Sequence, residues 1–153
     1  MLTQKEANYL LSLLKYILET GKYIFPDVGD YNYITLISKD NKYEFIIDIN
    51  RKSKVKPNKC SYQKRYRNDI ILLRLDINGP NHTNPDGKVI KGSHLHIYKE
   101  GFNISWAYPL PSDLTVEEDK LSDTDYLIEV LLKFLDYCNV VNIDEINIPG
   151  RLF

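Results

Sequence analysis

The strand-forming segments of this chain are collected in its middle, with one amphipathic helical segment on either side. The segments with alternating or continuous apolar residues are YNYITLIS, KYEFIIDIN, DIILLRLDIN, HLHIY and NISWAY. Successive strands without helices between them pair as antiparallel neighbours, because a parallel pair needs a long crossover, usually a helix. The sequence therefore predicts an α+β fold, with a mostly antiparallel sheet of about five strands and an N-terminal and a C-terminal helix packed on one face.

The two helices are predicted from the spacing of apolar residues. Residues 3–19 place such residues at steps of three and four, and the segment YLIEVLLKFLDYC does the same. The SDTD stretch before that second segment supplies N-cap and acidic first-turn side chains. Residues 140–153 are expected to form a short strand or a tail. At 153 residues the chain is predicted to be a single domain, 1–153, that buries a core without disulfides.

The formal net charge of -1 hides an uneven distribution of charged residues. Between Arg51 and Asp69 a single acid accompanies eight bases: Arg51, Lys52, Lys54, Lys56, Lys59, Lys64, Arg65 and Arg67. A polyanion responds to the local potential rather than to the net charge of the whole chain. This basic segment, with tyrosines interspersed, therefore points to a nucleic-acid partner.

Alternation along the predicted strands assigns their side chains to two faces of the sheet. One face takes Ile71, Leu73 and Leu75 and is expected to lie under the helices. If the strands are neighbours, the other face carries mainly polar residues. They are Asp48, Arg74, Asp76, His94, His96 and Tyr98. This second face is expected to be open to solvent or to a partner.

All three histidines, His82, His94 and His96, lie between Ser61 and Pro111. Two histidines at i and i+2 of a strand project to the same side, and this spacing suits two kinds of chemistry. One is metal binding, with Asp76 or His82 as a further ligand. The other is proton transfer, with one imidazole as base, another as acid and cations that stabilise a phosphate.

The second kind of chemistry gives the leading prediction, a metal-independent ribonuclease that needs no cofactor. Its catalytic residues are predicted to be His82, His94, His96 and Asp76. The residues predicted to hold phosphates or stack on bases are Tyr62, Lys64, Arg65, Tyr66, Arg67, Arg74 and Lys91. A bare H-x-H pattern is weak evidence for a metal, and the second motif of a metal-binding barrel is absent from the sequence.

Several runs of the sequence resemble a family of small uncharacterised proteins of Gram-positive bacteria and their mobile elements. They are YQxRYR at 62–67, ILLRLDINGP, HTNPDG at 82–87, HLHIYxEG at 94–101 and WAYPLP at 106–111. The N-terminal helical segment, FIIDINR and FLDYCNV are similar to the same family. The resemblance carries over no catalytic residue. It implies a prokaryotic, cytoplasmic protein connected with phage or plasmid conflict.

That setting gives the ribonuclease prediction a biological frame, as a toxin or a counter-defence protein, and leaves two alternatives open. The first is a non-enzymatic inhibitor that binds a nucleic-acid-handling protein such as a CRISPR effector. The second is a metal-dependent enzyme that acts on a small molecule. The expected partner is RNA or a nucleic-acid-handling protein and not a membrane, and the sequence is compatible with a homo-oligomer.

Overall fold

A computed structural model describes residues 1–53, 56 and 58–149 of the chain. Lys54 of the predicted basic segment lies outside the described residues, and so does the end of the predicted C-terminal tail, residues 150–153. No helix in the described part of the chain is both long enough and apolar enough to cross a bilayer.

The structure contains two α-helices, three short 3-10 helices and eleven strands among the described residues. The α-helices are α1 (Gln4–Ser12) and α2 (Thr124–Tyr137), and the 3-10 helices are Ser112–Leu114, Glu118–Lys120 and Ile143–Glu145. The strands are β1 (Lys15–Ile17), β2 (Gly21–Lys22), β3 (Tyr31–Ser38), β4 (Glu44–Asn50), β5 (Cys60–Tyr66), β6 (Ile70–Ile77), β7 (His82–Thr83), β8 (Val89–Ile90), β9 (His94–Ile97), β10 (Ala107–Tyr108) and β11 (Ile146–Asn147).

Seven of these strands form one antiparallel sheet in the order β1-β3-β4-β5-β6-β9-β10. The mixed α+β class and the antiparallel sheet are confirmed, but the strand count of about five is wrong. Segment 60–66, which the sequence assigned to a basic loop or edge, is the central strand β5. The short edge strand β1 was not predicted as a strand either, and only the last two residues of the predicted strand NISWAY form a strand, β10.

The predicted helix over residues 3–19 is also wrong in its second half. Helix α1 has a capping box at Thr3 and Glu6, and it ends where Leu13 turns to an extended conformation. The following residues pair with β3 as strand β1, and the Lys15 backbone also bonds to Asn139 and Val141. Leucines at positions 14 and 18 fit a helical repeat, yet both side chains are exposed, so the tertiary pairing overrides the local pattern.

The core lies between the sheet and helix α2. Along α2, Leu127, Leu131 and Phe134 are fully buried, and the hydroxyl of Tyr62 on β5 donates a hydrogen bond of 2.6 Å to the Leu127 carbonyl. The predicted packing of two equivalent helices on one face is therefore wrong in detail, because α2 supplies most of the helical core and α1 buries only Ala7 and Leu10. The polar residues that alternate with the core residues along the strands therefore lie on the opposite side of the sheet.

A β-bulge changes the predicted assignment of one residue. The register between β5 and β6 shifts so that Lys64 faces Leu73 and Arg65 faces Ile71, which leaves Leu72 as the extra residue. Because a one-residue shift turns a side chain to the other face, Ile71 joins the polar side rather than the helix-covered side. Leu72 takes a core position in its place and is fully buried.

Candidate histidine centre on the open face of the sheet

The strand register aligns two rows of residues on the sheet face away from α2, and we call this surface the open face. Directly opposed residues on neighbouring antiparallel strands project to the same side of the sheet. The first row runs across β3, β4, β5, β6 and β9 through Tyr33, Asp48, Gln63, Arg74 and His96. The second row runs across the same strands through Tyr31, Asn50, Ser61, Asp76 and His94.

The third histidine reaches the end of these rows from a loop that folds over the sheet. His82 lies on β7, which pairs with β8 in a small hairpin outside the main sheet. The side chain of Asn84 clamps this hairpin to β10, since its amide donates to the Ala107 carbonyl at 2.9 Å and its oxygen accepts from the Ala107 backbone at 2.8 Å. The turn residues of the loop therefore serve to place His82 above β9.

The three imidazoles form one group, which we call the histidine cluster. One ring nitrogen from each of His82, His94 and His96 lies within 4.8 Å of the corresponding nitrogens of the other two. The ring centroids are 4.6 Å apart for His82 and His96, and 5.0 Å apart for His94 and His96. The side chains of His94 and His96 are only 2% exposed, because the His82 hairpin covers them.

Each imidazole is held by a backbone carbonyl through one ring nitrogen. The partners are Ser105 for Nε2 of His82 at 2.7 Å, Gly92 for Nδ1 of His94 at 2.8 Å and Ile104 for Nδ1 of His96 at 2.7 Å. A carbonyl oxygen only accepts hydrogen bonds, so the proton lies on these three nitrogens. In the neutral rings the remaining nitrogens, one on each histidine, carry lone pairs.

Asp76 completes the centre on the strand side. Its Oδ2 lies 3.4 Å from Nε2 of His94 and 3.3 Å from Nε2 of His96. Arg74 donates to both oxygens of this carboxylate, from Nε at 2.7 Å and from Nη2 at 3.2 Å. Nη2 of Arg74 also donates to Nε2 of His96 at 3.2 Å, so the guanidinium lies between the carboxylate and this imidazole. The approach of His94 Nε2 to Oδ2 is favourable when a proton is shared between them or a metal ion lies beside them.

Burial and hydrogen bonding act in opposite directions on the ionisable groups of the centre. Burial alone would raise the pKa of Asp76, but hydrogen bonds from His94, His96 and Arg74 together hold that pKa well below the usual range. The hydrogen bond with Asp76 raises the pKa of His94, and burial opposes this increase. The centre therefore favours an ionised carboxylate beside a positive charge.

A cleft of about 520 Å³ opens beside the cluster. Its floor includes Asp76, His82 and His94, and its rim includes Lys52 and Lys59. These two lysines are exposed, so both can turn toward a ligand in the cleft. The cleft thus combines a nitrogen-rich floor with a positively charged rim, which suits an anionic molecule.

A second polar cluster lies further along the open face. Asp48 accepts hydrogen bonds from Arg65 at 2.7 Å, from Gln63 at 2.9 Å and from the hydroxyl of Tyr31 at 2.6 Å. Burial acts to raise the pKa of Asp48, but these three donors outweigh burial and leave the pKa lowered. The same network fixes the direction of the Tyr31 ring, which lies beside the ring of Tyr33.

Three residues that were predicted to bind nucleic acid are located in the core instead. Tyr62 and Lys64 are fully buried and Tyr66 is 8% exposed, on the side of β5 that faces the helices. Tyr66 packs against the ring of Phe45. None of these three can stack on a base or contact a phosphate, so their predicted roles are corrected. Arg51 of the basic segment is also interior and donates to the Pro26 carbonyl.

The other predicted contacts divide between the open face and remote positions. Arg65 and Arg74 lie on the open face, each paired with an aspartate. Arg67 is exposed in the turn after β5, where its guanidinium lies over the Tyr66 ring. Lys91 is exposed and lines a separate depression beside Pro109 and Leu110 rather than the cleft at the histidines. Tyr98, predicted beside the histidines, is buried in the core.

Sequence reasoning missed two exposed tyrosines of the open face, Tyr31 and Tyr33, which are 39% and 52% exposed. Their rings stack with centroids 6.2 Å apart, and the Lys52 ammonium lies 5.3 Å from the Tyr31 ring centroid. The alternation in YNYITLIS could have located them, because Tyr31 and Tyr33 lie on the face of the strand opposite the buried Ile34.

Comparison with known proteins gives one result. The model of DUF6978, a family of unknown function, matches residues 2–140. The chain belongs to this family. No curated protein and no solved structure matches the chain. The DUF6978 match covers the histidine cluster and the whole open face, and it confirms the resemblance to an uncharacterised family without adding an activity.

Proposed function

We propose that the histidine cluster binds a divalent metal ion of the zinc type and that the protein is a metal-dependent hydrolase of phosphodiesters. The observation that carries this proposal is the orientation of the three imidazoles. Each of His82, His94 and His96 has one ring nitrogen bonded to a backbone carbonyl, which leaves a lone pair on the other. The lone pair of His96 accepts a hydrogen bond from Arg74 at 3.2 Å, and a metal ion would replace this contact. Such an outer hydrogen bond is the usual companion of a metal-binding histidine.

The donor set and its spacing fit zinc. Three neutral imidazoles are a common ligand set of catalytic zinc, which keeps its fourth position for water. With zinc–nitrogen distances of about 2.0–2.1 Å, neighbouring ligands of a tetrahedron lie roughly 3.4 Å apart. One nitrogen of each ring lies within 4.8 Å of a nitrogen of each of the other two rings, so the three imidazoles would have to draw closer together to hold the ion.

The surroundings of the centre give the type of substrate. Lys52 and Lys59 on the rim and Arg74 on the floor supply positive charge around the cleft. A phosphodiester is an anion whose hydrolysis builds up further negative charge on the phosphate oxygens, and cations stabilise that charge. The charge distribution therefore supports a phosphodiester better than a neutral ester or amide.

The reaction needs few additional groups. A zinc ion held by the three histidines would lower the pKa of a water molecule to about 7 and so supply a nucleophile near neutral pH, with the proton lost to solvent. Attack of this oxygen on phosphorus would break the phosphorus–oxygen bond to the leaving group, and the departing oxygen would take a proton from solvent. Asp76, held by both of its oxygens to Arg74, is placed to accept a hydrogen bond from the water and orient it.

The test is hydrolysis of bis(p-nitrophenyl) phosphate by the full chain, first stripped with a chelator and then supplied with Zn²⁺ or Mn²⁺. We expect activity only after metal is added, and its loss in His96→Ala. The matched control is Thr83→Ala, because Thr83 is exposed beside His82 and has no role in the centre. Metal-loaded protein without activity on this ester would contradict the proposed hydrolase.

The metal-independent ribonuclease predicted from the sequence is a second candidate, and one observation favours it. Oδ2 of Asp76 lies within 3.4 Å of nitrogens on two histidines, a geometry in which a proton can be shared and then donated. This candidate predicts RNA cleavage that persists in chelator and disappears in His96→Ala. That outcome would replace the metal mechanism while keeping the same residues.

A further inference from the structure

The open face extends well beyond the cleft at the histidine cluster. Its two rows of opposed residues cross five strands, from Tyr31 and Tyr33 on β3 to His94 and His96 on β9. Four strand spacings of ~4.8 Å give a length of about 19 Å. The depression around Asp48 and the cleft at the histidines share residues Asn50, Lys52, Ser61 and Gln63, so the two are continuous.

We infer that this face binds single-stranded RNA, with bases stacked on Tyr31 and Tyr33 and the backbone directed toward the histidine cluster. The inference names the substrate of the hydrolase and therefore rests on the proposed function. A phosphodiester substrate that needed only the cleft would leave the far end of the face unexplained. The far end presents two aromatic rings, and uncharged polar and positively charged side chains lie between these rings and the cleft.

The aromatic end supplies the stacking platform. The rings of Tyr31 and Tyr33 are solvent-exposed and lie side by side on one strand. The Tyr31 hydroxyl is anchored on Asp48, which holds its ring in place without a ligand. Exposed rings fixed on a sheet are the platform that single strands use, because every base presents a flat surface for stacking.

The middle of the face supplies contacts for the backbone. Lys52 and Arg65 provide positive charge beside the path, and Arg65 is fixed by its bonds to Asp48. The uncharged Asn50, Ser61 and Gln63 lie between the tyrosines and the histidines. Such side chains can donate to and accept from a ribose 2′-hydroxyl, the group that distinguishes RNA from DNA.

The two exposed rings indicate which form of RNA this face can bind. A duplex hides the flat surfaces of its bases within the stack, so the two tyrosines have nothing to contact in double-stranded RNA. A span of about 19 Å suits a short segment, comparable to the smallest single-strand sites of roughly four nucleotides. One phosphodiester of that segment would then reach the cleft beside His82.

The experiment is fluorescence anisotropy with a labelled eight-nucleotide RNA of mixed sequence, measured in chelator so that no metal-dependent cleavage occurs. We expect Tyr31→Ala and Tyr33→Ala each to weaken binding by about fivefold to about a hundredfold, the range for loss of one stacked base. Tyr33→Phe keeps the ring and should bind like the parent protein, whereas Tyr31→Phe keeps the ring without its hydrogen bond to Asp48 and should weaken binding less than Tyr31→Ala does. The exposed Tyr9 on α1 lies off the open face, and Tyr9→Ala is the matched control.

Further arms separate this inference from the proposed function. The same oligonucleotide as single-stranded DNA and as duplex RNA should bind more weakly, and equal binding of either would overturn the assignment to single-stranded RNA. Alanine variants at both tyrosines that bind RNA normally would also overturn it. Hydrolysis of bis(p-nitrophenyl) phosphate should be unchanged in those variants. Loss of RNA binding with intact ester hydrolysis supports the inference, whereas RNA binding by an inactive parent protein leaves the inference standing and refutes the hydrolase.

Discussion

The fully buried Lys64 offers a direct test of how the core of this protein is built. Its ammonium nitrogen has no hydrogen-bond partner in the described part of the chain, and it lies 5.9 Å from the centroid of the Phe45 ring. A second buried lysine, Lys15, lies close by and donates to the Leu13 carbonyl at 2.6 Å. We predict that Lys64→Met makes the protein more stable.

The magnitude follows from the missing partner. Burial lowers the pKa of Lys64, so the fold holds an amine that gives up water without a replacement hydrogen bond. Such an unsatisfied buried group costs about 1–3 kcal/mol, and methionine fills a similar length with apolar atoms. Each kcal/mol raises the melting temperature of a domain of this size by about 2–4 °C. The expected gain in melting temperature is therefore roughly 2–12 °C.

The assay is thermal and urea unfolding of the parent protein, Lys64→Met and the control Lys42→Met. Lys42 is exposed in the turn between β3 and β4, so its substitution should change the free energy of unfolding by less than about 0.5 kcal/mol. A Lys64→Met protein less stable than the control would show that the ammonium group makes a favourable interaction in the folded chain.

Three further predictions concern single groups. Burial and the neighbouring Lys64 lower the pKa of Lys15 from 10.5 to about 7. Between these values the unfolded chain binds the proton and the native chain does not, so the free energy of unfolding measured in urea should rise with pH from 7 to 10.5, by at most about 1.4 kcal/mol per pH unit. A flat pH profile would contradict this. Asn84→Ala removes two buried hydrogen bonds to Ala107 and should lower stability by about 1–3 kcal/mol and weaken Zn²⁺ binding, with Thr83→Ala unchanged in both. Tyr62→Phe should lose about 1 kcal/mol of stability and leave RNA binding unaltered, and reduced RNA binding would contradict its core position.

The composition of the open face could be predicted because alternation is a local property of each strand. Asp48, Arg74, Asp76, His94 and His96 share that face in the structure, as their positions in alternating segments indicate. The approach of His82 could not be predicted in the same way. It depends on a hairpin outside the sheet and on a clamp to β10, which involve residues far apart in the sequence.

Strand β5 shows why the predicted nucleic-acid contacts were partly wrong. In CSYQKRY the set of alternate residues with both tyrosines also contains Lys64, and the other set contains Arg65, so each set contains a cation and the basic residues alone do not say which set is interior. Register decides the matter, because Tyr62 pairs with Ile49 and Lys64 pairs with Ile47, both of which face the core. The buried lysine is thus a consequence of pairing, which a count of basic residues cannot detect.

The bulge in β6 and the short helix α1 have a related cause. Both depend on hydrogen bonds to partners elsewhere in the chain, such as the contact between Lys15 and Asn139 that replaces a further helical turn. The apolar spacing of the sequence alone is compatible with a helix up to residue 19 and with a β6 that has no bulge. Pairing with neighbouring segments determines the shorter helix and the bulge that the structure shows.

Isothermal titration calorimetry of chelator-stripped protein with Zn²⁺ tests the central claim most directly, because it measures metal binding by the histidine cluster without assuming any substrate. We predict one ion bound per chain, and no measurable binding by His94→Ala or His96→Ala, while Thr83→Ala binds as the parent does. Failure of the folded parent protein to bind Zn²⁺, or equal binding by the His96→Ala variant, would contradict the account.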